Sequence, residues 1–98
     1  MTFEDVDWSK RGEYIAKHGT TPEQAAEALC DPARLVINPD PASKSGKSVR
    51  IIGWSQSANR VLTVIVLEHE GTEYGVNCWP ANDRDQSLYH SMEDEQRP

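Results

Sequence analysis

Residues 61–67 read VLTVIVL, six apolar side chains around a single threonine. A run this apolar at both alternating positions marks a central strand covered on both faces or at a partner interface. It is far too short for a membrane span, which needs about 20 residues. It therefore belongs in the middle of a sheet, and its surroundings fix what kind. Ser57-Ala58-Asn59 turns the chain before it and Glu70-Gly71 after it. Val49 to Trp54 is the preceding strand. Thr72 to Trp79 is the following one, with Tyr74, Val76 and Cys78 on one face and Gly75, Asn77 and Trp79 on the other. A shorter strand, Arg34 to Asn38, is closed by Pro39-Asp40-Pro41 and followed by the small, basic loop ASKSGKS at residues 42–48. No connection is long enough for a crossover helix, so the sheet is antiparallel. A strand at Phe3 to Asp7 is expected to pair with its edge.

Three helices complete the reading. Thr21 is an N-cap, Pro22 sits at the first helical position and Gln24 three residues after the cap, which together make a capping box with a proline start. Ala25, Ala26, Leu29 and Cys30 form its apolar face, and Asp31-Pro32 ends it. An earlier helix runs from Ser9, as cap, to His18, with Gly19 as its stop. A last one runs from Asn82 to Met92, with Leu88 and Met92 one turn apart. The class is α+β: an antiparallel sheet of three to five strands, two N-terminal helices and one C-terminal helix. At 98 residues the chain is one domain's worth, with acidic, flexible ends expected at 1–6 and 93–98.

The net charge is −6, but six acids sit in residues 1–7 and 93–95, which leaves the body close to neutral. Residues 34–60 carry Arg34, Lys44, Lys47, Arg50 and Arg60 against Asp40 alone. A bulk nucleic-acid coat is excluded, whereas a local basic surface is not. Cys30 and Cys78 are too few and too far apart for a disulfide scaffold or a zinc site, and fit free thiols in a reducing cytoplasm. No metal or cofactor motif is present. Gly46-Lys47-Ser48 lacks the upstream glycine of a phosphate-binding loop.

The blocks KHGTTPEQAAEALCDP (17–32), RIIGWS (50–55), RVLTVIV (60–66) and VNCWPA (76–81), with Tyr89 on the final helix, resemble BrnT-type toxins across about residues 7–90. These are small toxins of bacterial toxin–antitoxin pairs with a RelE-like fold. The resemblance implies a cytoplasmic, metal-independent endoribonuclease, held inactive by a cognate antitoxin protein, as a homodimer or a toxin–antitoxin hetero-oligomer. Its catalytic candidates are Lys17, His18, Arg50 and Tyr89. Lys47, Trp54, Asn77 and Trp79 are the candidate RNA contacts. The last strand departs from the family pattern, because Trp79 stands where a block resembling ISARpA keeps arginine.

Metal-free RNA cleavage needs a base for the 2′-hydroxyl, an acid for the leaving oxygen and cations for the charge growing on phosphorus. Each candidate also has an ordinary structural role. Arg50 is either a phosphate clamp or a strand arginine paired with an acid. Lys17 and His18 either meet substrate or complement a helix C-terminus. Tyr89 is a proton donor or a core-edge residue with a wet hydroxyl, and His90 lies beside it. Trp54 and Trp79 are second-layer core residues or a stacking surface. An aromatic at position 79 can stack on a base but cannot neutralise a phosphorane. The alternative to an active nuclease is a lapsed member that keeps the fold as a protein- or RNA-binding module.

Overall fold

The computed structural model describes Phe3 and residues 5–95, the last four as helical backbone alone. Its elements are α1 (Gly12–Ala16), α2 (Pro22–Leu29), β1 (Leu35–Ile37), β2 (Ser48–Ser55), β3 (Arg60–His69), β4 (Thr72–Pro80) and α3 (Asp83–Glu95). The strands form one antiparallel sheet in the order β1-β2-β3-β4. The apolar run lies within β3, which is interior and fully paired as its sequence requires. Glu70 and Gly71 both take positive φ, 51° and 83°, the left-handed pair of a two-residue hairpin turn.

α2 forms as read. Thr21 Oγ1 accepts a hydrogen bond from the Gln24 backbone amide, and Gln24 Oε1 accepts one from the Thr21 backbone amide. α1 is shorter than its expected span of Ser9–His18. Ser9 is not its cap: the Ser9 amide is spent on Asp7 Oδ1 at 2.7 Å, and Arg11 at the N-cap offers no side-chain acceptor. The helix ends at Ala16, short of the expected His18, and Gly19, with a φ of 77°, follows in the turn, its amide donating to the Ala16 carbonyl. α3 begins where Asn82 accepts from the Asp85 amide at 2.9 Å and runs to Glu95, past the expected Met92. Of the end segments, Phe3 is 3% exposed and belongs to the core, with Val6 packed against that core. Met1, Thr2, Glu4 and residues 96–98 of the expected flexible ends lie outside the described residues. In place of a strand at Phe3–Asp7, one parallel bridge joins Asp7 to Tyr74.

A bulge between Ile65 and Val66 corrects the facing of β4. Val66 pairs with Gly75 and Val64 with Cys78, so Gly75 shares the face of Cys78 rather than that of Asn77 and Trp79. One extra residue in the bulge reverses the alternation. Gly75 is obligatory here, since a Cβ would lie 2.3 Å from the Trp8 ring.

The sheet has two unlike faces. On one, α1 and α2 bury Ile15, Ala25, Ala28 and Leu29 against Val49, Ile51, Leu62, Val64, Val66 and Cys78. There α2 crosses β2 so closely that a Cβ on Gly53 would lie 2.1 Å from the Ala28 carbonyl oxygen. The other face is thinner. α3 covers its β1–β2 side, with Tyr89 and Ala81 against Ile52 and Val61 and with Leu35 and Ile37 alongside.

The outer edge of β4 is closed by groups that belong to no strand. The Asp7 amide donates to the Glu73 carbonyl, and the Gly75 amide donates to the Asp7 carbonyl. Arg11 Nε donates to the Val76 carbonyl at 3.0 Å, and Thr20 Oγ1 to the Cys78 carbonyl at 3.0 Å.

Candidate functional site

The α3 face gathers four of the eight residues named from sequence. Arg50 stands in β2 opposite Ile65 of β3, and Ile65 stands opposite Asn77 of β4. Trp79, two residues on from Asn77, lies under the Arg50 guanidinium at 5.7 Å from ring centre to carbon. Tyr89 comes down from α3 and is 5% exposed.

Arg50 is largely buried, its side chain 17% exposed, and it lines a cavity with Arg84, Asp85 and Leu88. Its Nε donates to Asp40 Oδ1 at 2.9 Å, and its Nη1 to both oxygens of Asp85 at 3.1 and 3.3 Å. The side chains of Asp40 and Asp85 are 7% and 2% exposed. Asp85 also accepts from Thr63 Oγ1 at 2.7 Å. The cluster therefore holds one cation between two carboxylates, a net −1, with an indole on the guanidinium. An incoming phosphate would meet the field of both carboxylates.

Tyr89 is committed as well. Its hydroxyl donates to Asp31 Oδ2 at 2.5 Å. The same carboxylate accepts from the Trp54 amide at 2.8 Å and the Ala33 amide at 2.9 Å. Asp31 thus ties α3, β2 and the loop after α2 to one point.

The remaining candidates are dispersed. Lys17 and His18 are exposed at the end of α1, which lies along β4, while Arg50 is two strands away and α3 lies over β1 and β2. His18 stacks edge-on against Tyr14 at 5.3 Å. Asn77 Oδ1 accepts from the Cys78 amide of its own strand. Lys47 is exposed in the loop before β2, where Ser43 Oγ accepts from the Gly46 amide at 3.0 Å. Trp54 is 39% exposed at the other end of β2. The positive charge of residues 34–60 is accordingly no single patch. Lys44 and Lys47 lie at one end of β2, Arg60 lies at the other, and Arg50 is neutralised between them. Eight strand residues separate the ends by roughly 26 Å.

Sequence reasoning missed Asp40, Asp85, Asp31 and Thr63. Thr63 carried a signal, because the one polar residue in a run buried on both faces must find a buried partner. Asp85 carried another, sitting three residues after the Asn82 cap on the inward side of a helix. Among the described residues no group of three or more His, Cys, Asp or Glu is placed to hold a metal ion. None of their helices is long and apolar enough to cross a membrane. Compared with known proteins, the chain matches no family model and no curated protein.

Proposed function

We propose that the chain is a BrnT-like protein that binds RNA without cleaving it, and that its partners in a bacterial cytoplasm are RNA and a cognate antitoxin. The observation that carries the loss of cleavage is the pairing of Arg50 with Asp40 and Asp85. Charge stabilisation on phosphorus needs a preorganised donor aimed at the reacting centre. Here the strand arginine is aimed at two carboxylates, and the position where similar toxins keep a second arginine holds Trp79. RNA is favoured as the ligand because the exposed cations Lys44, Lys47, Arg60 and Arg84 have no carboxylate partner among the described residues.

The second reading is an active endoribonuclease. It is favoured by the convergence of Arg50, Asn77, Trp79 and Tyr89 on one face. Incubating labelled RNA with the purified chain separates the two. The binding reading expects a shifted but intact RNA and no growth arrest when the chain is induced alone in a bacterium. Cleavage above background that disappears in folded Arg50→Ala would establish the nuclease instead.

A further inference from the structure

Near the β3–β4 hairpin turn, the segment that leads into α1 runs beside β4 and leaves a groove of about 300 Å³. That is the lower end of the range for small-molecule clefts, roughly 300–1,000 Å³. Leu67, Tyr74 and Val76 give it an apolar floor. Lys10, Arg11 and His69 line it as well, and no carboxylate does.

Register explains why acids are missing from so acidic a hairpin. Leu67 pairs with Tyr74 and His69 with Thr72, which puts these side chains on one face of the sheet. Glu68 and Glu73 pair with each other between them and so turn to the opposite face. Two contacts then bring the cations of the N-terminal segment to the floor. Lys10 Nζ lies 5.0 Å from the centre of the Tyr74 ring. Arg11 Nε donates to the Val76 carbonyl at 3.0 Å, which leaves its Nη groups for a ligand. Among the described residues neither Lys10 nor Arg11 has a carboxylate partner. Asp7, on the same segment, accepts instead from the Ser9 amide at 2.7 Å.

An apolar floor favours hydrocarbon, and cations without partners beside it favour an anionic group on the same molecule. A nucleobase suits the groove poorly, because its one aromatic ring already carries the Lys10 ammonium. We infer that the groove binds a small amphipathic carboxylate, its alkyl chain along Leu67, Tyr74 and Val76 and its carboxylate on Lys10 and Arg11. The site is separate from the Arg50 centre and does not rest on the RNA-binding reading.

The test is a titration of the full-length, isotope-labelled protein with decanoate, octanoate, acetate and decyltrimethylammonium, each below its micelle concentration, followed by amide NMR shifts. Decanoate should bind, with its shifts concentrated at Leu67, Tyr74, Gly75 and Val76. Each methylene taken from water is worth roughly fourfold in affinity. Octanoate should therefore bind more weakly by up to about 15-fold, and acetate not measurably. Decyltrimethylammonium, the same chain with the opposite charge, should bind more weakly than decanoate. Lys10→Gln should weaken decanoate roughly 2- to 5-fold, the usual worth of an exposed ion pair, and the double variant Lys10→Gln, Arg11→Gln should weaken it further. Circular dichroism checks that both variants are folded. Absence of decanoate binding at millimolar concentration, equal binding of the cationic chain, or shifts centred elsewhere would each overturn the inference. So would an unchanged affinity in the folded double variant. Self-association of the wild type that disappears in that variant would make the groove a protein contact and overturn it as well.

Discussion

Cys30 and Cys78 show how far one side chain's chemistry follows from its place. Cys30 caps α2 and is exposed, while Cys78 is fully buried under α1 and α2. Burial pushes the Cys78 thiol up to about 11, against a weaker opposing effect from the Thr20 hydroxyl. The thiolate is the reacting species, so burial withholds Cys78 both by access and by disfavouring its charged form. Iodoacetamide at about pH 8 should label Cys30 in the native protein and Cys78 only after unfolding. Mass spectrometry of tryptic peptides reads the result, and native labelling of Cys78 would contradict the packing. The sequence allowed free thiols at both positions but not their different environments. Gly53 and Gly75 have the same history. Their necessity lies in what approaches them, the Ala28 carbonyl and the Trp8 ring, and neither neighbour is visible from the glycine's own surroundings in the chain.

At the scale of elements, the helices and strands with strong local signals were legible. The capping box of α2, the apolar run of β3 and the Glu70-Gly71 turn each form where sequence puts them, because each is decided by interactions within a few residues. What attaches one element to another was not. α3 is held through polar anchors as much as through apolar ones, with Asp85 on Arg50 and Thr63, and Tyr89 on Asp31. Removing Asp85 leaves the buried Thr63 hydroxyl without its acceptor while Arg50 keeps Asp40, at a cost of about 1–3 kcal/mol. Asp85→Ala should lower unfolding stability by about that amount, with Asp85→Asn falling between it and wild type in urea titrations. A loss below about 1 kcal/mol would show the anchor to be incidental. A second anchor is sensitive to acid. Glu27 on α2 accepts from Ser55 Oγ at 2.7 Å, Ser57 Oγ at 2.6 Å and the Ser57 amide at 3.0 Å, which fastens the β2–β3 turn. Those bonds, the Ser57 hydroxyl first, hold its carboxyl below the ordinary value of 4.5. A lowered carboxyl contributes stability that is fully present above its unfolded value and is lost as pH falls through the folded one. Glu27→Gln should therefore be less stable than wild type near neutrality, and the gap between the two urea midpoints should shrink as pH falls below 4.5.

The molecule as a whole presents its sheet edges unequally. β1 is three residues long and Pro39 follows two residues after its end, both of which blunt the edge. β4 is nine residues long and would be a ready template for another strand, but residues 7–20 occupy its outward carbonyls and amides. Deleting residues 1–20 should therefore produce a chain that assembles through β4. Light scattering and thioflavin fluorescence would report it, and a monomeric, soluble product would refute it. The same arrangement has a temporal side. The contacts that finish the β4 edge join residues 65 and 58 positions apart, Arg11 to Val76 and Thr20 to Cys78. On a ribosome, residues 7–20 emerge early and have nothing to bind until β4 has followed them out. Their docking is a late event of high contact order, and every nascent chain passes through an interval in which the meander can form while its final strand is still bare.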